Sequence, residues 1–276
     1  MKPLSLPSSH LLRHAVASAF LLALAACASD KKDDYVERPV EELYNEGFDN
    51  LHAGRNDDAA KLFDEVERQH PYSTWATRAE LMSAYAHYQE GNYDDALNAI
   101  DRFLQLHPGN PSAPYAYYMR ALCYYEQIAD VTRDQKNTEQ ALTALEEVTR
   151  RFPDTPYARD AQLKIDLTND HLAGQEMEIG RYYLKRGEYQ AAINRFRRVV
   201  EHYQTTTHVP EALHRLTEAY LALGVVDEAQ TAAAVLGHNY PGSEWYEDSY
   251  ALLTGVDTRP QEHKQSWISR TFSWIF

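Results

Sequence analysis

The run Gly91-Asn92-Tyr93-Asp94-Asp95-Ala96-Leu97-Asn98-Ala99-Ile100-Asp101-Arg102-Phe103-Leu104-Gln105-Leu106-His107-Pro108 decides how this chain is read. Ala96, Ile100 and Phe103 share one face of a helix, and Pro108 stands where that helix must stop. Four other stretches repeat the pattern. Gly54, Ala59, Phe63, Val66 and Pro71 lie 37 residues earlier, and Ala141, Leu145, Val148 and Pro153 lie 45 later. Gly187, Ala192, Phe196 and Val199 follow after a further 51, then Gly224, Ala229, Ala233, Leu236 and Pro241 after another 37. Recurrence at such periods specifies helix pairs that bury their apolar faces only by stacking on one another.

Each position in the pattern has a physical role. Gly47, Ala59, Ala84, Ala96, Gly180 and Ala192 are small enough to let the two helices of a pair approach closely. The inner glycines Gly54, Gly91, Gly187 and Gly224 stand where the first helix ends, a left-handed backbone position. Between copies, Pro71-Tyr72-Ser73-Thr74-Trp75, Pro108-Gly109-Asn110-Pro111-Ser112, Pro153-Asp154-Thr155-Pro156-Tyr157 and Pro241-Gly242-Ser243-Glu244-Trp245 couple a turn to a helix start, with Ser or Thr as N-cap. The fourth copy has Tyr203-Gln204-Thr205-Thr206-Thr207 without proline, which predicts a looser joint.

The pattern resembles the tetratricopeptide repeat. It implies an all-α, right-handed α-solenoid of about five repeats, with repeats 1–3 over 40–160 and repeats 4–5 over 161–250. Leu163 to Ile179 are expected to lengthen a helix linking the two halves, Arg133-Asp134-Gln135-Lys136-Asn137 to form a polar loop, and 251–276 to form a tail.

Before the repeats, residues 1–26 carry Lys2 and Arg13, then an apolar stretch from Ala15 to Ala26 suited to a signal peptide and too short to span a bilayer. It ends in Leu24-Ala25-Ala26-Cys27, which resembles the bacterial lipobox. That resemblance implies cleavage before Cys27 and covalent lipid on its thiol, with several acyl chains holding the protein to a membrane. Ala28 stands where an aspartate would mark inner-membrane retention, so the outer membrane, periplasmic face, is the implied address. Residues 27–39, with Asp30-Lys31-Lys32-Asp33-Asp34, read as a tether.

The formal charge is −14 over 276 residues, a poor match to a polyanion, so nucleic acid is an unpromising partner. The two cysteines, Cys27 and Cys123, give no disulfide framework, and Cys123 reads as a small buried hydrophobe. The sequence holds no H-E-x-x-H, phosphate-binding loop, dinucleotide fingerprint or nucleophile elbow, so neither an enzyme nor a metal or other cofactor beyond the lipid is expected. Glu211-Ala212-Leu213-His214 is a single E-x-x-H, where a di-iron site needs two. His70 and His107 precede closing prolines, which suits a capping or packing role. Twenty tyrosines, with Tyr115, Tyr117, Tyr118, Tyr124 and Tyr125 crowded together and Tyr85 and Tyr88 before them, suit either packing between repeats or a peptide groove.

The runs Ala99-Ile100-Asp101-Arg102-Phe103-Leu104, His107-Pro108, Tyr118-Met119-Arg120-Ala121-Leu122, Arg133-Asp134-Gln135, Arg186-Gly187-Glu188-Tyr189 and Asn194-Arg195, together with the lipobox, resemble the BamD (ComL) family. These are the tetratricopeptide lipoproteins of the outer-membrane β-barrel assembly machine, and the likeness covers about 24–245. It implies a non-catalytic subunit that docks on the POTRA domains of a BamA-like barrel protein beside other Bam lipoproteins. Its N-terminal repeats would take the C-terminal strands of unfolded outer-membrane proteins. By resemblance Asn194 and Arg195 match the partner-docking element, and Arg102, Arg120, Tyr115 and Tyr118 are further groove candidates. The tail is the departure: Trp267, Ile268, Phe272, Ile275 and Phe276 make one apolar side, with His263, Lys264 and Arg270 supplying positive charge. An adaptor for cell-wall or division factors is the alternative; a hydrolase with a repeat clamp would need a domain for which no stretch remains.

Overall fold

The computed structural model describes residues 36–255. The chain divides at Pro39/Val40 into two units, and of the first only 36–39 are described, without regular structure. Cys27, the leader, most of the tether and the apolar tail lie outside the described residues.

From Val40 the described residues form eleven α-helices and no strand. They run α1 (Val40–His52), α2 (Asn56–Gln69), α3 (Thr74–Glu90), α4 (Tyr93–Leu106), α5 (Ala113–Tyr125) and α6 (Lys136–Arg151). Then come α7 (Pro156–Lys185), α8 (Tyr189–His202), α9 (Val209–Ala222), α10 (Val226–Asn239) and α11 (Glu244–Thr254). Each helix packs on the next, and no pair distant in sequence meets. This is the contact pattern of a tetratricopeptide solenoid, five helix pairs followed by a final helix.

The repeat residues perform as their chemistry requires. Gly54, Gly91, Gly187 and Gly224 have φ of 72, 82, 74 and 74°. At Gly91 this bend lets the N–H groups of Gly91 and Asn92 donate to Tyr88 (3.0 Å) and His87 (2.9 Å), closing α3 before the chain turns back. Phe63, Ile100 and Phe196, equivalent residues of three copies, are fully buried. Each α-helix that closes a pair stops just before its proline, at His70, His107, Phe152 and Tyr240. The prolineless joint differs from expectation: Tyr203 has φ −125° and ψ 46°, against −133° and 52° at Phe152. Its backbone matches the proline joints, and Asp170 of α7 ties it by accepting from Thr207 N–H (3.1 Å) and Oγ1 (2.9 Å).

Ser73, Thr155 and Ser243 cap α3, α7 and α11 through their hydroxyls. Ser112 makes no such bond; Asn110 Oδ1 accepts from Ser112 N–H at 2.8 Å instead. Helix α6 begins at Lys136, so Lys136 and Asn137 are helical rather than loop. Buried Gln135 organises this turn by donating to the carbonyls of Asp130 and Arg133 and accepting from Thr138 Oγ1 at 2.8 Å.

The linking helix is α7, 30 residues and therefore about 45 Å long. Ala161 and Ile165 enter one apolar core with Leu145 and Val148, and Ala173 and Met177 enter the next with Phe196 and Val199. One rigid element thus belongs to two cores. Beyond repeat 5, α11 seats Tyr246 on Gly237 and Trp245 on His214. It extends to Thr254, into residues that the sequence reading assigned to the tail. No described helix is long and apolar enough to cross a membrane.

Candidate functional site

A stack of helix pairs presents the seams between pairs, and the sequence-selected side chains lie along them. At the first seam Arg102 of α4 reaches Glu67 of α2 (2.7 Å), and His107 Nε2 stands 3.2 Å from Glu80, its ring against Phe103. At the second, Arg120 of α5 is clasped between Glu147 of α6 and Asp101 of α4 (3.4 Å), its guanidinium 4.8 Å from the Tyr117 ring. Within the fourth pair, Glu176 of α7 is 7% exposed and receives two arginines of α8, Arg195 at 3.1 Å and Arg198 at 3.0 Å. The adjacent Asn194 is exposed. A buried carboxylate with two guanidinium partners is a costly arrangement to disturb, since losing the cations leaves a desolvated charge.

The tyrosines divide. Tyr118 stacks on Tyr157 at 5.5 Å and donates to Asp160, which also receives Lys164 at 2.8 Å. Hydrogen bonds from Lys164 and Tyr118 hold the Asp160 carboxyl below its usual range, while burial pushes the Tyr118 phenol up. Tyr115 also meets Tyr157, at 5.6 Å. These contacts tie α5 to α7, so both rings serve packing between repeats. Tyr115 has a second surface. With Tyr44, Arg78, Leu81 and Tyr85 it lines a recess of about 390 Å³ across α1, α3 and α5, in which Arg78 is the only cation among the described residues.

The six proposed partner residues are therefore not one site. Tyr115 lines the recess, Arg120 lines a separate polar cavity with Glu139 and Glu147, and Asn194 and Arg195 belong to α8. Sequence reasoning missed Glu176 and Arg78. A charge recurs at one repeat register, at Arg102, Glu147 and Arg198, and that recurrence was the available signal for the seam pairs. The lone E-x-x-H is also accounted for: Glu211 is taken by Arg181 (2.9 and 2.7 Å) and Arg215, and His214 Nδ1 lies 2.9 Å from Ser249 Oγ.

Stacked pairs with charged seams and an aromatic recess define a tetratricopeptide-type scaffold, a class that acts by holding other chains. The family model YfiO, outer membrane lipoprotein, matches residues 36–236. The outer membrane protein assembly factor BamD of Caulobacter vibrioides is 54% identical over 241 residues, covering 86% of this chain and 79% of that protein. BamD of Rickettsia prowazekii is 46% identical, covering 84% and 92%, and that of Neisseria meningitidis serogroup A 38%, covering 80% and 89%. Among solved structures, a thermophilic TPR protein of Thermus thermophilus covers 79% of this chain and 100% of its own at 22% identity and TM-score 0.37. The chain belongs to the YfiO/BamD family of outer-membrane lipoproteins.

Proposed function

We propose that this chain is an outer-membrane protein assembly factor, a lipid-anchored, non-catalytic scaffold that holds a POTRA-bearing barrel protein and its unfolded clients. One observation carries the reading: identity with assembly-factor relatives extends over 86% of the chain, so it takes in the seams and the recess and not the fold alone. Cys27 carries the lipid and sets the protein on the periplasmic face of the outer membrane. Asn194, exposed on α8, and Arg195 beside it face the POTRA partner, and the recess around Tyr115 takes a client's C-terminal strand. Tyr44, Tyr85 and Leu81 suit its aromatic and aliphatic side chains and Arg78 suits its carboxylate.

The test is affinity purification of the tagged chain from membranes with mass spectrometry of what accompanies it. A POTRA-bearing barrel protein and other assembly lipoproteins are expected; cell-wall or division factors in their place would overturn the reading. Because Arg195 also holds buried Glu176, charge reversal there confuses docking with folding. Asn194→Glu, on an exposed side chain, is the cleaner variant: recovery of the barrel protein falls while helical circular dichroism is unchanged.

A further inference from the structure

Four seams join the five helix pairs, and the last differs on its α8–α10 side. The repeat register that holds Arg102, Glu147 and Arg198 holds Val235 in repeat 5. Where α5 offers Arg120 and α7 offers Glu176, α9 offers Leu213, Leu216 and Tyr220. Val200 of α8 and Val235 of α10, the latter 38% exposed, wall a groove of about 250 Å³ above them. Among the described residues no ion pair links α8 to α9 or α10; Arg197 pairs with Glu201 inside α8 at 2.7 Å. The fourth seam is joined by Arg181 of α7 and Glu211 of α9 (2.7 Å), and its α8–α10 side is left apolar, with Arg197, Glu201 and Glu228 at the rim.

We infer that this groove is the seat of the chain's own C-terminal segment, residues 263–276. The segment has what the groove lacks. Trp267, Ile268, Phe272, Ile275 and Phe276 fall on one side at helical spacing, and Lys264 and Arg270 oppose the sign of Glu228, Glu201 being paired with Arg197. The tether suffices. Helix α11 packs on α9 and α10, the two helices that also wall the groove, and ends at Gly255. The twelve residues from Gly255 to Trp267 reach up to about 40 Å. Attachment through so short a tether gives the segment a high effective concentration over any free helix of similar affinity. A partner that uses the α8–α10 surface therefore has to displace it.

The experiment places a photo-crosslinking amino acid at Val235 of the full chain in detergent and maps the linked peptides by mass spectrometry. Links to peptides within 263–276 of the same chain are expected, falling at least tenfold on Trp267→Ala and on Phe272→Ala. Those substitutions lie outside the described helices, so they test the contact without disturbing the core. Links from Val235 to none of these residues would overturn the inference. So would links formed only between chains, or a probe at Phe272 that marks lipid when vesicles of phosphatidylethanolamine and phosphatidylglycerol are added and never marks α8 or α10.

Discussion

Gly180 of α7 and Phe196 of α8 are in direct contact, the ring filling the place where any other residue would carry a side chain. A Cβ on Gly180 would stand 2.8 Å from Phe196 Cδ1 and Cζ, and the ring is fully buried and cannot retreat. Alanine gains about 0.5–1 kcal/mol over glycine inside a helix, but overpacking a closed core costs about 1–3 kcal/mol. Gly180→Ala is therefore expected to destabilise the fold in urea titrations. Gly47→Ala meets Phe63 Cε1 at 2.9 Å in the equivalent place and should do so more mildly. An unchanged or raised midpoint for Gly180→Ala would mean that α7 and α8 slide apart at little cost.

Two joints that look alike in sequence should answer differently to the same substitution. Thr155 Oγ1 accepts from Ala158 N–H at 3.2 Å, whereas Ser112 caps nothing and Asn110 supplies the oxygen. Thr155→Ala is expected to cost about 1 kcal/mol and Ser112→Ala close to nothing. Asn110→Ala should cost what Ser112→Ala does not. Equal losses for Thr155 and Ser112 would contradict this assignment of the caps.

Much of the fold was legible because a repeat states its constraints several times. Glycine at four equivalent places, with φ of 72–82°, and the fully buried Phe63, Ile100, Leu145 and Phe196 at another leave few alternatives to stacked helix pairs. The joint at Tyr203 was misread because the group that ties it, Asp170, sits 37 residues from Thr207 and belongs to no local motif. The candidate site was less legible for the same reason. Arg195 could be picked out by resemblance, but its hold on Glu176 joins residues 19 apart across two helices, and neither residue type nor spacing announces that one of them is buried.

Cys123 offers a chemical report on the core of repeat 3. It is a free, fully buried thiol, and burial pushes its pKa up to about 12. Thiolate is the reacting species, so the folded protein should resist alkylation at pH 8 and react only through opening. Labelling rates for Cys123 are expected to rise steeply across the unfolding transition and to be negligible below it. Rapid labelling under native conditions would show that α5 opens locally, independently of its neighbours.

Acid should weaken the C-terminal end of the stack through His214. This histidine is 4% exposed, with Nδ1 2.9 Å from Ser249 Oγ and its ring 5.4 Å from Trp245. Burial lowers its pKa in the folded chain, against an opposing pull from Glu218 and with help from Arg215. The unfolded chain, with a pKa of about 6.5, thus binds the proton more readily than the folded one. Where the unfolded state holds more protons, stability rises with pH, so this contribution is intact above about pH 6.5 and is lost progressively as pH falls below it. His214→Gln keeps a polar group near Ser249 without an ionising ring. Its urea midpoint should be lower than that of the parent at pH 7.5 and should fall less between pH 6.5 and 5. Parallel loss in both proteins would assign the acid sensitivity to the carboxylates of the seams instead.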